Sequence, residues 1–295
     1  MLRFHRNIHL VSDLKVNQQI WLLFALLNLC GYDDENYKTI HPLRRRVRKV
    51  LTESQFGFGK NKKIKNYLKR SPWQVLNSFL SSPGSRTESL RKLLEHDNQL
   101  QKLWRTLSPS CSRQSRQLEK VGAAVVQRVV SYLKYSSPCP LTIFAVPNPL
   151  DAYWRGYSIS PNKKTHYLVI GPDLKGKVNR VNVAHEFLHT IINPLLEEDK
   201  QLQLLARKNW LGKPAIRQIE DLAENLVTAL TLRIILPPSV ARMYLKDARE
   251  RDLHLVSFFY RKLMGIRRPM EYRQLLILLL TKESKKRQEF QAPAS

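Results

Sequence analysis

Apolar positions along this chain recur with two different periods, and the period changes near Pro138. Before that point the spacing is mostly helical. Val16 to Leu29 predicts a first helix, ended by Gly31. Within it IWLLFALLNLC, Ile20 to Cys30, is apolar on every side, as in a helix buried all round. Its eleven residues fall short of the roughly 20 that span a bilayer. Ser71-Pro72-Trp73-Gln74 and Ser85-Arg86-Thr87-Glu88 each have the form of a capping box. The first also places proline at the first helical position, and the second opens a run to Leu107. SPSCSRQSR, Ser108 to Arg116, reads as a polar break and a candidate lobe boundary. A further helix is expected over about Gln117 to Tyr135.

After Pro138 the segments become short, β-branched and aromatic. Leu141 to Val146, Tyr153 to Ser160 and Thr165 to Gly171 are separated by the turn-forming PNPLD and SPNKK. They predict a small antiparallel meander. Helical spacing then returns over about Asn179 to Ile192, Leu195 to Asn209 and Ile216 to Leu236, with further helices before Thr281. The expected fold class is α+β and mostly helical. The expected organisation is an N-terminal helical region over 1–112, a domain over 113–281 and a frayed tail over 282–295. That domain would hold the sheet at 141–171 and helices at 179–192 and 216–236.

Composition is that of a globular protein, 43% hydrophobic and 25% charged, which excludes disordered and fibrous classes. The net charge of +26 changes the picture. A field of that sign attracts nucleic acid, anionic surfaces or acidic proteins and says nothing about fold. Between Arg44 and Arg70 stand eleven Lys or Arg against one acid, Glu53. This segment, 44–70, is a candidate surface for an acidic protein or a nucleic acid, although no RNA-binding signature, zinc knuckle or helix-turn-helix accompanies it. Cys30, Cys111 and Cys139 have no metal-type spacing and suit a reducing compartment. With no signal peptide in the N-terminal residues and no transmembrane segment, a cytoplasmic location is expected.

The candidate chemistry lies in RVNVAHEFLHTIINP, Arg180 to Pro194. On a helix His185 and His189 sit one turn apart and can both reach one ion, with Zn2+ the expected metal. Glu186, beside the first of them, is placed to take a proton from a water. A catalytic zinc needs a third protein ligand. One class of such sites places a third histidine six residues after the second, but Leu195 stands there, and Ile192 stands where its glycine would be. Ile219 to Ile234 supplies carboxylates instead. Glu220 and Glu224 lie one turn apart beside an apolar stripe, where two carboxylates are costly without a cation. Either Glu220 binds the metal and Glu224 hydrogen-bonds a ligand histidine, or the two roles are exchanged.

Strands, then an HExxH helix, then a helix bearing Glu-x-x-x-acid, is an order that resembles the gluzincin metallopeptidases. VAHEFLHTIINPLLEE and FALLNLCGYDDEN are similar to segments of a bacterial family of gluzincin-like domains. The resemblance covers roughly 20–50 and 141–236. It implies a two-lobed zincin-like fold with the sheet beside the HExxH helix, and zinc-dependent endopeptidase activity on a protein or peptide. His185, His189 and Glu220 match its metal ligands, and Glu186 its general base. Glu224 stands where the family has an aspartate. The family also supplies a Tyr or His to steady the oxyanion, for which Tyr244 and His254 are candidates. An extended substrate would pair with an edge strand, either Tyr153 to Ser160 or Thr165 to Ile170. His166 is expected at a strand surface. Set against this is a nucleic-acid-associated binding protein that keeps a structural or vestigial metal site. The other alternative is an inactive peptidase-like scaffold.

Overall fold

The computed structural model describes residues 2–4, 7–32, 40–53, 62–81, 84–137, 139–211, 218–250, 253–266, 268 and 270–281. Part of the basic segment (54–61), the acidic run after Tyr32, the expected helix start at Ile216 and the tail over 282–295 lie outside these residues. Two short antiparallel strands come first, β1 (Leu2–Phe4) and β2 (Ile8–Val11). Helix α1 (Leu14–Leu29) follows, begun by Asp13, whose side chain accepts the N–H groups of Lys15 and Val16. It ends before Gly31, whose φ of 91° suits glycine. Every side chain from Ile20 to Leu27 is removed from solvent.

The reason is a ring of helices around α1. These are α2 (Pro42–Glu53), α3 (Lys62–Leu68), α4 (Pro72–Ser81), α5 (Ser85–His96) and α6 (Asn98–Leu133). Val47, Ile64, Phe79, Leu90 and Leu107 bring one apolar contact from each into the same core. Ser71 caps α4 as its sequence suggests, accepting the Gln74 N–H at 3.3 Å. At α5 the cap is shifted by one residue. Gly84 donates its N–H to Thr87 Oγ1 at 2.8 Å, so Ser85 is already helical.

Helix α5 does not run on to Leu107. Asp97 interrupts it and opens α6 by accepting the Leu100 N–H at 2.9 Å. The polar stretch Ser108 to Arg116 is no break either, but lies inside α6. Pro109 removes the N–H that would bond the Arg105 carbonyl, and the Ser108 hydroxyl donates to that carbonyl at 3.3 Å instead.

Three more strands follow, β3 (Leu141–Pro147), β4 (Gly156–Asn162) and β5 (Thr165–Ile170). The sheet is mixed, in the order β1-β2-β3-β5-β4. β2 pairs parallel with β3, β3 parallel with β5, and only β4–β5 and β1–β2 are antiparallel. The expected meander is therefore corrected. The connection from Pro147 to Gly156 is long enough to carry the chain past one strand position, so β4 becomes the outer strand and β5 fills the gap.

The remaining helices are α7 (Arg180–Glu198), α8 (Lys200–Asn209), α9 (Ile219–Ile235), α10 (Pro238–Glu250), α11 (Val256–Gly265) and α12 (Tyr272–Leu280). α7 continues through Pro194, six residues past the end expected at Ile192. The fold is α+β and mostly helical, as expected, and no helix of the described residues is long and apolar enough to cross a membrane. Contacts divide the chain into two units, 1–127 with 136–190, and 128–135 with 191–295. The first holds the sheet and the core around α1. In the second, Trp210 packs on Phe258 and Phe259, and Asn209 and Trp210 both donate to the Leu280 carbonyl at 3.0 Å.

Candidate metal centre

α7 owes its position to its apolar stripe. Ala184, Phe187, Leu188, Ile191 and Ile192 are all buried. Asn179 begins the helix by accepting the Val181 N–H at 2.8 Å. His185 and His189 flank the stripe and are half-buried. Their Nε2 atoms are 3.1 Å apart, with the rings edge to face at 4.8 Å. Two nitrogens each about 2.05 Å from a tetrahedral ion are about 3.3 Å apart. The helix alone thus sets the pair close to ligand spacing, so the donor set fits a divalent ion of the zinc type.

Glu186, which follows His185 in sequence, is 9% exposed. Its side chain lies against Gly156, the first residue of β4. A Cβ built at Gly156 would fall 2.6 Å from Glu186 Cγ and 2.7 Å from Cδ, inside any real contact distance. Glycine is needed here for close approach, since its φ is not among the positive values.

The loop that delivers Gly156 is held from within. Asp151, 1% exposed, accepts the Tyr32 hydroxyl at 2.5 Å and the Ala152 N–H at 2.7 Å. Burial raises its carboxyl pKa, against the opposing pull of Tyr32, Tyr157 and Arg44. Burial and the neighbouring Asp151 likewise raise the Tyr157 hydroxyl. Asn28 then joins this loop to α2. Its amide donates to the Leu150 carbonyl at 2.8 Å, and its Oδ1 accepts from Arg44 and Arg48. Trp154 sits at φ 64°, a rare conformation for so bulky a residue, with its N–H bonded to the Pro172 carbonyl. Neither Gly156 nor Trp154 was singled out from sequence. The signal available was a glycine inside the aromatic-rich strand segment YWRGYSIS.

On α9, Glu220 is exposed in the first turn and Glu224 is half-buried one turn later. Asp221 accepts the Gln218 N–H at 3.1 Å and so closes the helix start. Asn225, next to Glu224, is buried and accepts the Leu255 N–H at 2.9 Å, which pins the residue after His254. His254 itself is exposed. Tyr244, on α10, is half-buried, and burial followed by Asp247 raises its hydroxyl pKa. Among the described residues, His185, His189 and Glu224 form a group whose ligand-type atoms all lie within 4.8 Å of one another, and Glu220 is not in it.

His166 is not at a strand surface. It is 5% exposed, its Nδ1 is 2.5 Å from the Ser160 hydroxyl, and burial lowers its pKa to about 4. Comparison with protein-family models, curated proteins and solved structures finds no match to this chain.

Proposed function

We propose that this chain is a metal-dependent peptidase in which His185, His189 and Glu224 hold the ion and Glu186 is the general base. The observation that carries the reading is the histidine pair, preset at 3.1 Å on one helix with a buried glutamate between its members. Glu224 is preferred to Glu220 as the third ligand because it is half-buried and groups with the imidazoles, whereas Glu220 is exposed. A divalent ion bound there would acidify a water and polarise a carbonyl. Glu186 takes one proton from the attacking water and returns it to the departing amine. A C–O bond forms, the C–N bond breaks, and no redox partner is required. Gly156 gives the carboxylate its room. Of the two strands considered for an extended substrate, β5 is enclosed between β3 and β4, whereas β4 is the outermost strand at that end of the sheet among the described residues. Tyr244 and His254 remain the oxyanion candidates.

Metal analysis by mass spectrometry tests the ligands. Wild type, Glu186→Gln and Glu220→Ala should each carry about one zinc per chain, and His189→Ala and Glu224→Ala should lose it. Hydrolysis of fluorescein-labelled casein should disappear in Glu186→Gln, the variant that keeps its metal. A wild type that takes up no metal on titration, or casein cleavage indifferent to Glu186→Gln, would overturn the proposal.

A further inference from the structure

Helix α6 carries a second pattern, unrelated to the histidine pair. Its cations are Lys102, Arg105, Arg113, Arg116, Lys120 and Arg128, and its only acid is Glu119. At about 100° per residue, Lys102, Arg105, Arg113, Arg116 and Lys120 fall within an arc of about 80°. All five are exposed. The buried Leu103, Leu107, Cys111 and Leu118 occupy the opposite face. The helix is continuous, so the cations form a row about 27 Å long at about 1.5 Å per residue. None of the five has an ion-pair partner among the described residues. Like charges three and four positions apart repel, so the row is mildly destabilising unless an anion lies along it.

We infer that the outer face of α6, from Lys102 to Lys120, binds the phosphate backbone of duplex nucleic acid without reading its sequence. A continuous helical row of cations about 27 Å long covers most of one turn of a duplex, about 34 Å, and meets phosphates of both strands as they wind past it. Gln117, exposed between the cations, adds a neutral donor for phosphate oxygens. Single strands are bound by stacking on aromatic rings. The row has none, since Trp104 is turned inward against Trp21. A lipid surface needs apolar side chains to insert beside the cations. The exposed large apolar residues of the described chain lie elsewhere, and α6 contributes none. This surface was hidden in the sequence because Ser108 to Arg116 looks like a break, which puts Lys102 and Arg105 before it, Arg113 and Arg116 inside it and Lys120 after it.

The test is fluorescence anisotropy of the full chain with a fluorescein-labelled DNA duplex of about 20 base pairs, between about 50 and 200 mM salt. One variant changes Lys102, Arg105, Arg113, Arg116 and Lys120 together to Gln, which keeps helix propensity. A control variant changes Lys62, Lys63, Lys65, Lys69 and Arg70 to Gln, also exposed and equal in charge. Circular dichroism and melting establish that both are folded. The α6 variant should bind at least about 10-fold more weakly, with a log–log salt slope shallower by about 4, at about 0.9 per lost phosphate contact. The control should lose less. An unchanged affinity in the α6 variant overturns the inference, as does an equal loss in the control, which would reduce the effect to net charge. Binding of wild type to phosphatidylserine vesicles that needs the same five residues, with duplex binding that does not, would assign the face to lipid instead. No part of the test depends on the metal or on hydrolysis.

Discussion

Replacing Gly156 by alanine isolates the contact that seats Glu186. In a strand with an ordinary φ this change is usually neutral or stabilising, because alanine restricts the unfolded chain more than glycine does. Here the new methyl group would lie 2.6 Å from Glu186 Cγ and 2.7 Å from Cδ. Carbon atoms in good contact sit about 3.5 to 4.0 Å apart, so the carboxylate must retreat by about 1 Å. Overpacking of this kind costs about 1–3 kcal/mol. A catalytic group misplaced by about 1 Å loses on the order of 100-fold in rate. Urea denaturation of Gly156→Ala, Glu186→Ala and the double variant measures the stability part without any substrate. Alanine at 186 removes both clashing carbons, so the cycle should show a favourable coupling of about 1–3 kcal/mol. Casein hydrolysis by Gly156→Ala should fall while metal content stays at the wild-type level. A coupling near zero would refute the contact, and full hydrolysis by Gly156→Ala would refute the importance of Glu186's position.

Two further perturbations follow from buried polar groups. Asn28→Leu removes the acceptor shared by Arg44 and Arg48 and leaves the wholly buried Arg44 short of a partner. It should cost about 3 kcal/mol in urea unfolding, and a cost below about 1 kcal/mol would sink the reading. His166 is held neutral by burial, with its pKa lowered from 6.5 to about 4. The unfolded chain therefore takes up a proton that the folded chain refuses, and stability is lost as pH falls from about 6.5 toward 4. At about 1.4 kcal/mol per pH unit, the contribution lost between about pH 7 and pH 4.5 is about 2.5 kcal/mol. His166→Gln should remove that part of the pH dependence, and parallel stability curves for variant and wild type would contradict it.

How far the sequence could be read depended on whether a feature is local. α1, the three strands after Pro138 and the helix with its histidines are each written in periodicity and caps, and they form close to where the pattern puts them. α6 was misread because Pro109 and its serines resemble a break. The helix nevertheless runs through Pro109, with its buried face unbroken and the Ser108 hydroxyl donating to the carbonyl that Pro109 abandons. Strand direction was misread because alternation shows which residues face inward and not which neighbour a strand takes. β1 and β2 were missed because strands of three and four residues carry too few positions for a period. The choice between Glu220 and Glu224 depends on burial, which two acids one turn apart do not reveal. Gly156 becomes meaningful only once β4 lies against α7.

The parallel pairing of β2 with β3 joins Ile8 to Leu141, with α1 to α6 strung between them. On a ribosome, β2 emerges first and its partner roughly 130 residues later, which at about 5–20 residues per second is on the order of ten seconds. For that interval the apolar Ile8 and Leu10 have no sheet to join, while the helices around α1 can already close on one another. The N-terminal strands therefore dock late, onto a helical body assembled ahead of them. The vulnerable moment of this protein's synthesis is the wait of β2 for β3.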